Sequence, residues 1–197
     1  MSRTGGLFRS PVVPIALLIG IVALGLAIWT VTMPQHVPLA SSVGGEFALV
    51  DQNGKAVTRA DFAGKPMIVF FGYTHCPDVC PTTLSDLTQM LNAYGTSEPV
   101  SALFITVDPE RDTPAVMKDY LSSFDSRISG LTGTPEAIRA VEKAYKVYAK
   151  KVPTKDGDYS MDHTAVVYVM DRDGRFVNAL NLSQKPEAAA EEFRRDL

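Results

Sequence analysis

One stretch of the chain limits its fold more than any other. An unbroken apolar run at residues 67–71 is followed by the chain's two cysteines and then by a helical pattern. Met67-Ile68-Val69-Phe70-Phe71 has no polar alternation, which marks a strand buried on both faces. Cys76 and Cys80 stand in Gly72-Tyr73-Thr74-His75-Cys76-Pro77-Asp78-Val79-Cys80-Pro81. From residue 81 to 94, Leu84, Leu87, Thr88 and Leu91 fall on one face of a helix. A dithiol therefore sits between a core strand and the helix behind it. Such a pair is a soft metal site, a redox couple, or both.

Residues 46–50 and 56–58 flank an Asn53-Gly54 turn and read as a hairpin. A second buried strand is predicted at 100–107. Thr113-Pro114 and Thr134-Pro135 each look like a helix cap followed by proline at the first helical position, with helices reaching about 122 and 148. A third core strand is predicted at 164–170, turning through Asp171-Arg172-Asp173-Gly174 into 176–180. A closing helix covers 186–195. Buried strands joined by helices call for parallel crossovers, and the late hairpin adds antiparallel strands. The expected class is α/β, a thioredoxin-like mixed sheet flanked by helices with an N-terminal β-hairpin. Residues 46–197 form this domain, which is large enough to bury a core without a disulfide staple.

Residues 12–33 carry no charge and are long enough to span a bilayer, which takes about 20 apolar residues. Arg3 and Arg9 precede them, and no Lys or Arg follows until Lys55. The positive-inside rule then puts residues 1–11 in the cytoplasm, makes 12–33 a single-pass signal-anchor and 34–45 a linker, and exports the domain. A cleaved signal peptide is the rival, but its apolar stretch is usually shorter, about 7–15 residues. Without an Arg/Ser-rich presequence, the expected site is a bacterial inner membrane with the domain in the periplasm. In that oxidising compartment two cysteines tend toward a disulfide unless a reductant or a metal holds them. The exported part holds 17 of the 19 Lys and Arg and all 22 Asp and Glu, a net of −5. An acidic domain lacks the basic footprint of a nucleic-acid binder.

Both cysteines precede proline, which disfavours helical backbone at each. Residues 76–80 are thus expected to form a loop, with Cys80 at the cap and Pro81 first in the helix. A thiol there feels the positive end of the helix dipole, and its pKa is expected to fall. Two thiolates select copper(I), zinc or iron–sulfur clusters, but structural zinc and clusters want four ligands. Two Cys and one His suit copper(I), and copper(II) with a further oxygen ligand. There are three histidines. His36 lies in the linker. His75 adjoins Cys76, so its side chain is expected to face away. His163 is expected to open the strand at 164–170, and spacing leaves it as either a ligand or a surface residue. Asp162 can orient it or merely end a loop.

The run 71–81 resembles the signature of the Sco/SenC copper chaperones. Residues 107–114, Val-Asp-Pro-Glu-Arg-Asp-Thr-Pro, resemble that family's second block, and Asp162-His163-Thr164 its third. Ordinary thioredoxins place two residues between their cysteines, and here there are three. The resemblance implies a membrane-tethered protein that binds one copper through Cys76, Cys80 and His163. It implies delivery to the CuA centre of cytochrome c oxidase, with an oxidase subunit or another periplasmic copper acceptor as partner. The alternative function is a thiol–disulfide oxidoreductase: Cys76 and Cys80 act as a redox dithiol, keep an acceptor's cysteines reduced and are themselves reset by a thiol reductant.

Three further features have two readings each. Asp78 either stabilises a tight turn or acts at the thiols as a gate, ligand or docking charge. Residues 108–114 are either a strand exit and cap, with Arg111 paired to Asp108 or Asp112, or a loop shaping partner docking. Phe71, Tyr73 and Met161 either pack or shelter a metal. Tyr145 and Tyr148 are expected to be core or half-buried on one helix.

Overall fold

The computed structural model describes residues 43–197 together with residues 14, 15, 20, 21 and 23. Most of the expected anchor at 12–33, the segment 1–11, His36 and the greater part of the linker lie outside the described residues. Among the described residues no helix is long and apolar enough to cross a membrane. The chain divides into two compact units, Met1–Pro38 and Leu39–Leu197, and the second carries the sheet and the dithiol.

Nine strands and four α-helices are described in this second unit. They run β1 (Ala48–Asp51), β2 (Ala56–Thr58), β3 (Met67–Gly72), α1 (Val79–Tyr94), β4 (Ser101–Thr106), α2 (Pro114–Leu121), β5 (Ile128–Thr132), α3 (Pro135–Tyr145), β6 (Ala149–Pro153), β7 (Tyr159–His163), β8 (Val167–Met170), β9 (Phe176–Ala179) and α4 (Pro186–Arg195). Seven strands make one sheet in the order β2-β1-β5-β4-β3-β8-β9, while β6 and β7 pair only with each other. β3, β4 and β5 are parallel, and β8 joins β3 antiparallel. This is the mixed sheet expected.

β3 and β4 lie at the centre, and every residue of both is buried. That is why the first reads as a continuous apolar run: both of its faces are covered. The helix α1 buries Cys80, Leu84, Leu87, Met90, Leu91 and Tyr94, a stripe at helical spacing. The two Thr-Pro signals hold. Thr113 accepts the Val116 amide at 3.3 Å and Thr134 accepts the Ala137 amide at 3.2 Å. The Asn53-Gly54 hairpin also forms, with Gly54 at φ +82.

Four features differ from the sequence-based expectation. α1 begins at Val79 with Asp78 as N-cap, so Cys80 is helical despite the proline after it. α3 stops at Tyr145 because Lys146 turns left-handed at φ 58. Tyr148 is therefore outside the helix and exposed, while Tyr145 is buried against Phe71. The core strand covers only Val167–Met170, and His163 ends β7 instead of opening it. The strands β5, β6 and β7 have no counterpart among the sequence-based expectations.

Candidate metal centre

β3 and β4 run in register from Met67 opposite Ser101 to Gly72 opposite Thr106. The chain leaves β3 at Gly72, turns through residues 73–78 and enters α1, and this turn carries the dithiol. Cys76 is partly exposed and Cys80 fully buried, and both are free thiols. The Cys80 amide points at Cys76 Sγ, 3.4 Å away. Gly72 makes room for the buried sulfur: a Cβ there would stand 2.8 Å from Cys80 Sγ and 2.6 Å from the Phe104 ring.

His163 arrives from the end of β7, 83 residues further along. Its Nε2 lies 3.7 Å from Cys80 Sγ, and its Nδ1 is 3.1 Å from the Thr164 carbonyl. With Nδ1–H donating to that carbonyl, Nε2 is left with a free lone pair toward the sulfurs. The Tyr73 ring meets the imidazole edge-on at 5.8 Å. One ligand atom each from Cys76, Cys80 and His163 lies within 4.8 Å of the others. Metal–sulfur and metal–nitrogen bonds of about 2.3 and 2.0 Å at trigonal angles separate S and N by about 3.7 Å. The Cys80–His163 distance already matches this, so the donor set fits a soft three-coordinate ion such as copper(I).

Burial reverses the expectation for Cys80. Its thiol pKa is pushed well above the ordinary range, first by desolvation and then by the neighbouring Cys76. The helix dipole contributes about 1 kcal/mol or less at an exposed end, and it loses to complete removal from water. The thiol at the helix end is therefore not activated.

The other residues divide between support and surroundings. His75 is exposed, with Nδ1 3.1 Å from the Thr74 hydroxyl, and is not among the three. Asp162 is exposed; the His163 ring bonds the Thr164 carbonyl and Cys80 Sγ. Asp78 is exposed at the cap and makes no side-chain cap hydrogen bond. Phe71 is core, packed on Tyr145 and Tyr168. Met161 is partly buried against the core, and Tyr73 meets the His163 ring edge-on.

In the sequence, the turn at 108–112 shows little beyond a cap and an ion pair. Arg111 does pair with Asp108. Asp112 is fully buried and accepts three hydrogen bonds: from the Thr74 amide at 3.1 Å, the Thr74 hydroxyl at 2.6 Å and the Thr106 hydroxyl at 2.6 Å. Desolvation raises its pKa, and those donors pull it back. No local pattern shows the bonding roles of Thr74, Thr106 or Tyr159, because their partners are 6 to 51 residues away.

A thioredoxin-like sheet with a dithiol after its central strand, and an imidazole carried to it by a separate hairpin, defines a class: a thioredoxin-like domain whose Cys-Cys-His group could hold a soft metal ion. The family model described as SCO1/SenC matches residues 35–197, and the chain belongs to that family. It is 35% identical over 192 residues to an SCO2-like protein of Rickettsia felis, covering 91% of this chain and 93% of that one. It is 41% identical over 157 residues to the mitochondrial SCO2 homolog of Bos taurus, covering 78% of this chain but only 59% of the bovine protein. Among solved structures it resembles Bradyrhizobium japonicum ScoI with copper bound, at 61% identity and TM-score 0.75 over 79% of this chain and 99% of that one. Yeast Sco1 with copper bound is similar at 38% identity and TM-score 0.72, over 78% and 87% of the two chains.

Proposed function

We propose that this chain is a membrane-anchored copper chaperone. It takes one copper ion between Cys76 Sγ, Cys80 Sγ and His163 Nε2 and passes it to a protein acceptor, the CuA centre of cytochrome c oxidase. The observation that carries the reading is the approach of those three ligand atoms to within 4.8 Å of one another. The copper-bound relatives support it. Capture displaces a proton from the buried Cys80 thiol, so it strengthens as the pH rises. Three ligands leave one side open, and of the two sulfurs Cys76 is the more open to solvent. An acceptor sulfur enters there, and the ion moves by exchange of one thiolate for another. Residues 12–33 anchor the protein in a bacterial inner membrane with the domain in the periplasm. An uncharged apolar segment behind two arginines supports this.

A second reading is thiol–disulfide exchange, favoured by the contrast between the two sulfurs. Cys76 is accessible and attacks one sulfur of an acceptor disulfide as a thiolate. The acceptor's other sulfur leaves as a thiol, and a mixed disulfide remains. Cys80, as thiolate, then attacks Cys76 and releases the acceptor as a dithiol. This chain ends as the Cys76–Cys80 disulfide, and a thiol reductant resets it. Copper(I) and copper(II) titrations of the reduced chain separate the readings. One bound copper, lost in both Cys80→Ser and His163→Ala, supports the chaperone. No copper in the wild-type protein, with dithiol turnover intact in His163→Ala, supports the reductase.

A further inference from the structure

The hairpin that delivers His163 is not part of the main sheet, so something else must fix the distance between its imidazole and the sulfurs. β6 is mostly exposed and β7 only half-buried. The start of β7 is held instead by the turn at 108–112. The Arg111 guanidinium stacks 3.8 Å from the centre of the Tyr159 ring and donates to the Tyr159 carbonyl at 3.0 Å. It also reaches Asp158 at 3.4 Å. The Tyr159 hydroxyl donates to Asp108 at 2.9 Å, and Asp108 in turn pairs with Arg111. Lys151 on β6 bonds Glu110 at 2.5 Å. The same guanidinium lies 5.8 Å from the centre of the Tyr73 ring, which touches His163.

The next residue works in the other direction. Asp112 holds Thr74, two residues before Cys76, by its amide and its hydroxyl. The turn between them is fixed. The Asp112 amide donates to the Asp108 carbonyl at 3.0 Å, the Asp108 amide to Thr106 Oγ1 at 2.8 Å, and Thr132 Oγ1 to the Asp112 carbonyl at 2.7 Å. Asp108, Asp112, Thr106 and Thr132 are all buried.

We propose that this turn is a single clamp for the copper site. Arg111 is a positioning residue for the imidazole half and Asp112 for the dithiol half, and together they set the sulfur–nitrogen separation. The inference rests on the copper reading above. Neither residue touches the ion. Each acts through a neighbour, as outer partners of metal ligands do, and their loss commonly weakens binding about 10- to 100-fold.

The test uses the full chain with Arg111→Lys, Tyr159→Phe and Asp112→Asn. Lysine keeps the charge and loses the planar fork and its stacking. Phenylalanine removes only the bond to Asp108. In the reduced, copper-free proteins, amide exchange in β7 should rise in Arg111→Lys and, less, in Tyr159→Phe, while β8 keeps its wild-type protection. Copper(II) affinity should fall about 10- to 100-fold in Arg111→Lys, and the nitrogen coupling in the copper(II) resonance spectrum should weaken. Asp112→Asn should leave β7 exchange unchanged and shift the sulfur-to-copper absorption band. Wild-type β7 exchange and copper affinity in both Arg111→Lys and Tyr159→Phe would overturn the clamp. So would a rise in β8 exchange that matches β7, since that is general loosening. If the wild-type chain holds no copper, the chaperone reading fails by itself, and the exchange data still decide whether Arg111 holds the hairpin.

Discussion

Two cysteines four positions apart occupy different chemical worlds. Cys80 is sealed behind Gly72 and Phe104, and burial raises its pKa; Cys76 is partly open to solvent. Iodoacetamide at neutral pH should therefore alkylate Cys76 in the reduced protein and spare Cys80, as peptide mass mapping will show. Equal labelling would mean that the dithiol turn opens readily. Gly72 is the matching constraint on the strand side. In Gly72→Ala the new methyl pushes against Cys80 Sγ and Phe104, and copper affinity should drop at least tenfold, checked by competition with a copper(I) chelator. At this scale the sequence is informative about identity and misleading about state. The dithiol and His163 are legible as candidates, but the dipole argument for Cys80 assumes an exposed helix end. Nothing local announces that a cysteine will be buried.

Among the elements, those with a strong local signature are legible in the sequence. The continuous apolar run marks β3, a mostly apolar stretch marks β4, the Thr-Pro caps mark α2 and α3, and Asn53-Gly54 marks the first hairpin. The ones missed lack that signature. β5 is a short strand with Gly130 at its middle, packed under Met117 and Leu121, and β6 and β7 are polar and half-exposed. An exposed two-stranded arm needs no apolar alternation, so its pattern reads as loop. The sequence puts the end of α3 too late because Lys146 gives no glycine signal for its left-handed turn. Lys146→Gly should relieve that strain by about 1 kcal/mol and raise the melting temperature by about 2–4 °C. Glu142, on the same helix, is half-buried, and desolvation pushes its carboxyl up to about 7. The fold favours its neutral form, so this group lowers stability as the pH rises from its ordinary 4.5 through about 7. Glu142→Gln should flatten that part of the stability profile in urea titrations at stepped pH, and a steeper profile would contradict the assignment.

For the whole molecule, topology assembles what sequence distance separates. The sheet order brings β3 and β8 side by side, so the chain entering β8 passes the loop leaving β3, and His163 comes to the sulfurs from 83 residues away. Periodicity cannot show that approach. Family resemblance makes it an expectation, and the geometry supplies the contact. X-ray absorption at the copper edge of the copper(I)-loaded full chain decides whether this contact is a ligand set. The expected spectrum has one copper with two sulfur neighbours and one nitrogen, the nitrogen disappearing in His163→Ala. A wild-type spectrum with sulfur neighbours alone, unchanged in His163→Ala, would contradict it.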